Sequence, residues 1–363
     1  MRVPTDPGQF EFGLNSFGEV ATDNHRTLSD AETVRLLVEE AELAESAGLD
    51  VFSIGEHYRE DYVDTATPVL LAAAAQATST IGLGTSVTVL STQDPVRLYH
   101  EFSTVDAISN GRTQLVLGRA SVLDAFSLFG YEIAEYHELF TEKLDLFLQL
   151  MRTERVTWSG KYRSPLSDAY LRPRMPDGGI PTWIGIGGSP ESVLRAAEHG
   201  LPLMMAVIGG RPERFARQAQ LYLRALDEFG RPELPIGQHS LGLVAATDDE
   251  AAERYWPFWE RMITEAHESN GWFRPSRKRY RQEIDTGALF VGSAETVAQK
   301  IASIARSNHL SRFDLKYDAV GMPRQSREDS IRLFGESVAP RVRELLADSN
   351  EVTGTHGGTH ATQ

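Results

Sequence analysis

Glu56 and His57 follow the apolar run Asp50 to Ile54, inside the segment Gly55-Glu56-His57-Tyr58-Arg59-Glu60-Asp61. A carboxylate next to an imidazole suits proton transfer near neutral pH, because the neighbour sets the ring's proton affinity. A polar loop with His57 simply in water is the plain alternative. A second segment, Gly185-Ile186-Gly187-Gly188-Ser189-Pro190-Glu191-Ser192, runs from a strand through glycines into a helix with Ser189 as N-cap and Pro190 at its first position. Gly187 and Gly188 would let a ligand approach the backbone, and the free N–H groups of a first helical turn attract an anion such as phosphate. An ordinary capped βα turn would read the same way. The segment departs from the dinucleotide pattern G-x-G-x-x-G at Pro190 and from the nucleophile pattern G-x-S-x-G at Glu191. Arg119, directly after Gly118, could clamp a phosphate with two hydrogen bonds or sit in an outer salt bridge. His239, Tyr317 and Asp318 are weaker candidates, with His239 either at the site or packed in the core.

Composition removes whole classes of chemistry. The 363 residues include no cysteine, which excludes disulfides, zinc-thiolate sites, iron–sulfur clusters and a thiol nucleophile, and fits a reducing cytoplasm. No H-E-x-x-H, EF-hand loop or P-loop lysine is present, so no metal site is expected. A net charge of −15 would repel a phosphate backbone, which argues against nucleic acid. No apolar run reaches the roughly 18 residues of a membrane span, and Met1 to Phe10 lacks a signal-like apolar core.

These residues need elements to hold them, and the chain supplies strands alternating with helices from end to end. Strands are predicted at 10–14, 50–54, within 81–90, 113–117, 182–186, 203–207, 236–246 and 312–318. Helices follow them, one opening at the capping box Ser29-Asp30-Ala31-Glu32 and another at Thr247-Asp248-Asp249-Glu250, with the last over 326–346. Close to eight β/α units imply an α/β fold, a (β/α)8 TIM-type barrel with insertions, in one domain over residues 1–347. Such a barrel gathers its active site at the C-terminal ends of the strands, where the candidate residues lie. Residues 348–363 are polar and expected to be a disordered tail. Two stretches, 152–181 and the tryptophan-bearing 256–290, exceed ordinary loops and are expected to act as lids.

Taken together, several blocks resemble the bacterial-luciferase-like, flavin-dependent monooxygenases and oxidoreductases. They are Ile54-Gly55-Glu56-His57-Tyr58, Gly82-Leu83-Gly84-Thr85-Ser86-Val87-Thr88-Val89-Leu90, Asp94-Pro95-Val96-Arg97 and Asp106-Ala107-Ile108-Ser109-Asn110-Gly111-Arg112. The likeness continues through Pro181 to Ser192 and Phe290-Val291-Gly292-Ser293-Ala294-Glu295. The branch partnered with a separate FMN reductase is suggested by Val207-Ile208-Gly209-Gly210 and Glu336-Ser337-Val338-Ala339-Pro340-Arg341.

The resemblance implies FMN at the barrel mouth, its phosphate held by Arg119, Gly187, Gly188, Ser189 and Ser192. It makes His57 the active-site histidine, helped by Glu56, although Tyr58 stands where a second histidine is frequent. It also implies a non-proline cis peptide at Ser86-Val87, with Asn15 near the isoalloxazine ring. The luciferases' reactive cysteine is Gly118 here, so light emission is not implied. The expected activity is a monooxygenase using reduced FMN from a reductase and O2 on a small organic substrate, in a cytoplasmic homodimer. Two alternatives remain: a deazaflavin-dependent hydride transfer, whose longer acidic coenzyme would call for more basic residues at the mouth, and a catalytically idle flavin-binding subunit.

Overall fold

The computed structural model describes residues 10–119, 124–210 and 212–354. Eight parallel strands form the ring: β1 (Glu11–Ser16), β2 (Val51–Ile54), β3 (Gly82–Thr85), β4 (Leu115–Gly118), β5 (Thr182–Ile186), β6 (Leu203–Val207), β7 (Ile236–Val244) and β8 (Arg312–Lys316). They neighbour one another in the order β3-β2-β1-β8-β7-β6-β5-β4, and a parallel bridge between Leu83 and Thr113 brings the two ends together. A two-residue strand, Thr88–Val89, continues from β3 and pairs with β4. The α/β barrel that the rhythm predicts is therefore the observed architecture.

Helices cover the outside: α1 (Asp30–Ser46), α2 (Thr67–Ala77), α3 (Pro95–Ser109), α4 (Asp124–Phe129), α5 (Tyr136–Arg152), α6 (Pro190–His199), α7 (Pro212–Glu228), α8 (Asp248–Asn270), α9 (Arg277–Asp285), α10 (Ala294–Ser307), α11 (Arg324–Leu333) and α12 (Ala339–Gly354). Local chemistry starts several of them. At α1 the Glu32 N–H donates to Ser29 Oγ while the Ser29 N–H donates to the Glu32 carboxylate, the reciprocal capping box read from the sequence. At α6 the Ser192 N–H donates to Ser189 Oγ, and Gly200 closes the helix with φ of 65°. Among the described residues no helix is long and apolar enough to cross a membrane.

Strand alternation decides what lies inside the ring. Phe12 and Leu14 of β1 and Phe313 and Leu315 of β8 join the apolar layer under the helices. Gly13 and Asn15, and Arg312, Asp314 and Lys316, consequently point inward. Arg312 donates to both Asp314 oxygens at 2.7 Å and to Gln114 Oε1 at 2.5 Å, while Val116, Trp183 and Met204 form a small apolar cluster.

Three expectations need correction. The stretch 256–290 is no free lid: α8 runs through Pro257 to Asn270, and Trp256 and Trp259 are buried with Tyr255 and Tyr280 in a second apolar core. Proline at an interior helix position removes one N–H, which reads as a stop in sequence, yet here packing carries the helix past it. The stretch 152–181 contains an antiparallel hairpin, Arg155–Trp158 against Leu166–Tyr170. The final helix is interrupted by a π-turn at Phe334–Val338 and continues to Gly354, so residues 348–354 extend α12; the rest of the expected tail lies outside the described residues.

Candidate active site

The ends of β1 to β7 surround one cavity of about 820 Å³. His57 and the Gly187–Ser189 turn both line it, together with Glu56, Ser86, Val87 and Arg119. The volume lies within the range of small-molecule and cofactor sites.

His57 is 8% exposed, and its partner is Asp64. Asp64 Oδ2 lies 2.8 Å from His57 Nδ1, and Oδ1 accepts the His57 backbone N–H at 3.0 Å. Two contacts from one carboxylate fix both backbone and ring, while Phe17 packs on the imidazole with ring centroids 4.3 Å apart. Nε2 makes no hydrogen bond to a described residue, so it is the nitrogen left for chemistry in the cavity. Burial pushes the Asp64 carboxyl above its ordinary range, against the pull of His57.

Glu56 makes no hydrogen bond to His57. Its Oε1 accepts from Tyr58 OH and Gln93 Nε2, both at 2.5 Å, and its Oε2 accepts the Val89 N–H at 2.8 Å. Glu56 thus ties the loop after β2 to the short strand beyond Ser86 and Val87. Burial raises its pKa while these three donors oppose the rise.

His239 also lines the cavity and is almost buried. The Asn15 amide oxygen accepts from His239 Nδ1 at 2.7 Å and from Ser86 Oγ at 2.9 Å, and its nitrogen donates to Leu14 O and Asp314 Oδ2. Burial drives the His239 pKa down to about 4 from an ordinary 6.5, so the ring is neutral with its proton on Nδ1. The folded state then resists protonation that the unfolded chain accepts. The stability this contributes is complete above pH 6.5 and is lost as pH falls toward 4, by roughly 3 kcal/mol. Thermal melts from pH 7 to 4 should show a shallower acid decline for His239→Gln than for the native chain; superimposable declines would remove His239 as their cause.

The Ser86–Val87 peptide is cis, as the resemblance implies. The Val87 side chain lies over two glycines: a Cβ at Gly118 would stand 2.4 Å from one of its methyl carbons, and a Cβ at Gly185 would stand 2.8 Å from the other. Both positions need the absence of a side chain. Gly118→Ala should cost about 1–3 kcal/mol through overpacking. Adding Val87→Ala should restore much of that loss in urea denaturation, since the clash is with Val87 alone; an additive double variant would exclude this contact.

Elsewhere on the cavity wall the Arg119 guanidinium donates to Tyr136 OH at 3.1 Å, His137 Nδ1 at 2.6 Å and Ser189 Oγ at 3.4 Å. It makes no ion pair with a described carboxylate. Arg195, on the same helix as Ser192, has a buried NH1 without a partner. Gly187 has open space where a side chain would be, and Gly188 adopts φ of 110°. A helix start, a guanidinium without a counter-ion and an open backbone turn suit a phosphate group.

The chain matches the family described as luciferase-like monooxygenase over residues 10–308. It belongs to the luciferase-like monooxygenase family. An uncharacterized protein of Sinorhizobium fredii is 33% identical over 343 residues, covering 88% of this chain and 95% of that protein. Monooxygenase RslO1 from Streptomyces bottropensis superposes with a TM-score of 0.79 at 22% identity, covering 91% of this chain and 99% of that one. The oxygenating constituent of 3,6-diketocamphane monooxygenase from Pseudomonas putida, in complex with FMN, gives 0.74 at 20% identity, with 92% and 99% covered. An F420-dependent secondary alcohol dehydrogenase gives 0.71 at 18% identity, also with 92% and 99% covered.

Within this luciferase-like barrel, His57, Glu56, Ser86, Val87, Arg119, Gly187, Gly188 and Ser189 all face the cavity. Asn15 and Ser192 stand one layer back, Asn15 orienting His239 and Ser192 closing the α6 cap with Ser189. Tyr317 and Asp318 belong elsewhere, in a buried ionic cluster described below. Sequence reading missed Asp64, Tyr136 and His137. Nothing local marked Asp64, or Tyr136 and His137, which start α5.

Proposed function

We propose that this luciferase-like enzyme is an FMN-dependent monooxygenase that receives reduced FMN from a separate reductase and, with O2, oxidises a small organic substrate. The carrying observation is one cavity lined both by an anion-ready turn and by the Asp64-held His57. Reduced FMN, when bound, supplies the two electrons for O2 activation. Arg119 and the α6 N-terminus would hold its phosphate, with the Ser189 hydroxyl turning from Glu191 to donate to it. Val87, Ser86 and Asn15 would shape the bed for its ring, and His57 Nε2 would hold or deliver a proton where oxygen reacts, as one oxygen atom enters the substrate and the other leaves as water. Trp259, Trp272 and Phe273 would limit water at the open side.

FMN is favoured over the longer deazaflavin coenzyme by Glu191. Its carboxylate sits in the first turn of α6 and is held below its ordinary pKa by its own backbone N–H and by Ser189 Oγ, which donates to it at 2.8 Å. Acidic groups beyond a bound phosphate would meet it directly. A homodimer and a cytoplasmic location are part of the same proposal. Oxygen uptake with a reductase, NADH and FMN, coupled to product formation, is the decisive assay. Tight F420 binding with oxygen-independent hydride transfer would replace the reading, and FMN binding without any product across a broad substrate panel would favour an idle subunit.

A further inference from the structure

The cavity has an outer wall to which the flavin reading gives no ligand, only the exclusion of water. It comes from α8, α9 and the turn between them. Trp272 and Phe273, in that turn, are 44% and 40% exposed and lie in near-parallel planes, 23° apart with centroids at 6.4 Å. Trp259 of α8 stands behind Phe273 at 6.3 Å, so the exposed rings rest on a buried one. Large rings presented on a concave surface mark a place where something is bound.

The charge on the turn and α9 is the reverse of the molecule's, with Arg274, Arg277, Lys278, Arg279 and Arg281 against Glu283 and Asp285. Arg279 lies 4.8 Å over the Phe273 ring and is paired at 2.9 Å with Glu283, whose other oxygen faces the Ala288 N–H at 3.4 Å. That carboxylate is engaged twice. Arg274 and Lys278, both exposed on the same turn and helix, have no ion pair with a described residue. In a chain of net charge −15 the turn and the start of α9, next to the cavity-lining Phe273 and Arg279, therefore carry a local positive excess. The wall is also firmly placed, because Lys300 Nζ donates to the carbonyls of Ile284 at 2.5 Å and Leu289 at 2.7 Å, anchoring the end of α9.

We infer that this wall is the substrate subsite and that its substrate is a planar aromatic molecule carrying a carboxylate. The ring lies against Phe273 and Trp272, and the charge faces Arg279 and the cations beside it. Flat rings gain from stacking on aromatic planes, and an anion near guanidinium groups gains from the local field; an alkyl chain would use neither. The inference rests on the flavin reading in one respect only, that FMN fills the inner end and leaves this wall free.

Equilibrium dialysis with 2-naphthoate tests it, using 2-naphthol and decanoate as comparisons, with and without saturating oxidised FMN. 2-Naphthoate should bind in the presence of FMN, at least about tenfold tighter than either comparison. Phe273→Leu and Arg279→Gln should each weaken it by about tenfold and leave FMN affinity unchanged. Phe273 is 40% exposed and the Arg279 side chain 42%, and Arg279→Lys, which keeps a cation beside the buried Glu283, should retain most of the naphthoate affinity that Arg279→Gln loses. Displacement of naphthoate by FMN, equal binding of decanoate, or unchanged affinity in the two variants would overturn the inference. The measurement involves no reductant or turnover, so failure of the oxygenase assay with intact naphthoate binding would count against the monooxygenase reading alone.

Discussion

Arg327→Met should cost about 3–5 kcal/mol of folding stability, because it strips the cation from two carboxylates that water cannot reach. Arg327 is fully buried and donates to Glu40 at 2.8 Å, to Asp318 at 3.2 Å and to the Glu19 carbonyl at 3.0 Å. Tyr317 OH also donates to Glu40 at 2.7 Å, and Lys316 bridges Glu19 and Asp318. Three carboxyls thus face two cations. Burial beside Asp318 pushes the Glu19 pKa up to about 8, so near neutrality Glu19 tends to keep its proton and the cluster is balanced two against two. Glu19 therefore stabilises the fold below pH 4.5, where both states are protonated, and that contribution fades as pH rises toward 8, opposite in sign to His239.

The cluster also reaches the site. Ser16 Oγ donates to Asp318 Oδ2 at 2.6 Å, and Lys316 Nζ lies 4.7 Å over the ring of Phe17, which packs on His57. Urea denaturation is the measurement, with Arg341→Met as control. Arg341 pairs with Glu295 at 2.9 Å on the surface, where screening makes a pair nearly worthless, so the control should unfold like the native chain. Equal midpoints for Arg327→Met and the control would show that the buried cluster contributes nothing.

What could be read in advance follows the range of the forces involved. The cap at Ser29 is a contact between residues three apart, and Asp94 caps α3 just before Pro95; both are written in adjacent letters. Barrel architecture was legible because alternation and count are global patterns that survive errors at single boundaries. The interior was not. Arg312-Phe313-Asp314-Leu315-Lys316 alternates perfectly, but a period of two cannot say which face turns inward, and barrel interiors are more often filled by branched apolar side chains. The same limit misled the reading of Glu56. Successive residues leaving a strand point in different directions, so adjacency in sequence set Glu56 and His57 to different partners. The partner of His57 is seven residues on, at a distance that only the path of the loop decides.

That partner carries the largest expected effect on chemistry. Asp64→Asn should lower coupled turnover by roughly 10²- to 10⁴-fold while leaving FMN affinity within about twofold. In the native site Asp64 Oδ2 can accept a proton held on His57 Nδ1, leaving Nε2 as the working nitrogen. An asparagine would preserve the shape and the backbone contact from Oδ1 but present an N–H to Nδ1. The imidazole would then have to accept at Nδ1 and carry its proton on Nε2, the wrong tautomer for taking up a proton there. The loss should therefore appear in kcat rather than in FMN affinity, and it should come with a changed pH–rate profile, because the Asp64 carboxyl, which burial raises above its ordinary range, no longer titrates in the site. Asp64→Glu, which restores the charge with an imperfect reach, should recover part of the rate. A merely structural role for Asp64 predicts the reverse: Asn, being nearly isosteric, would be tolerated better than Glu. Turnover of Asp64→Asn within threefold of the native enzyme, with an unaltered pH profile, would therefore leave His57 without the orienting partner that the geometry assigns to it.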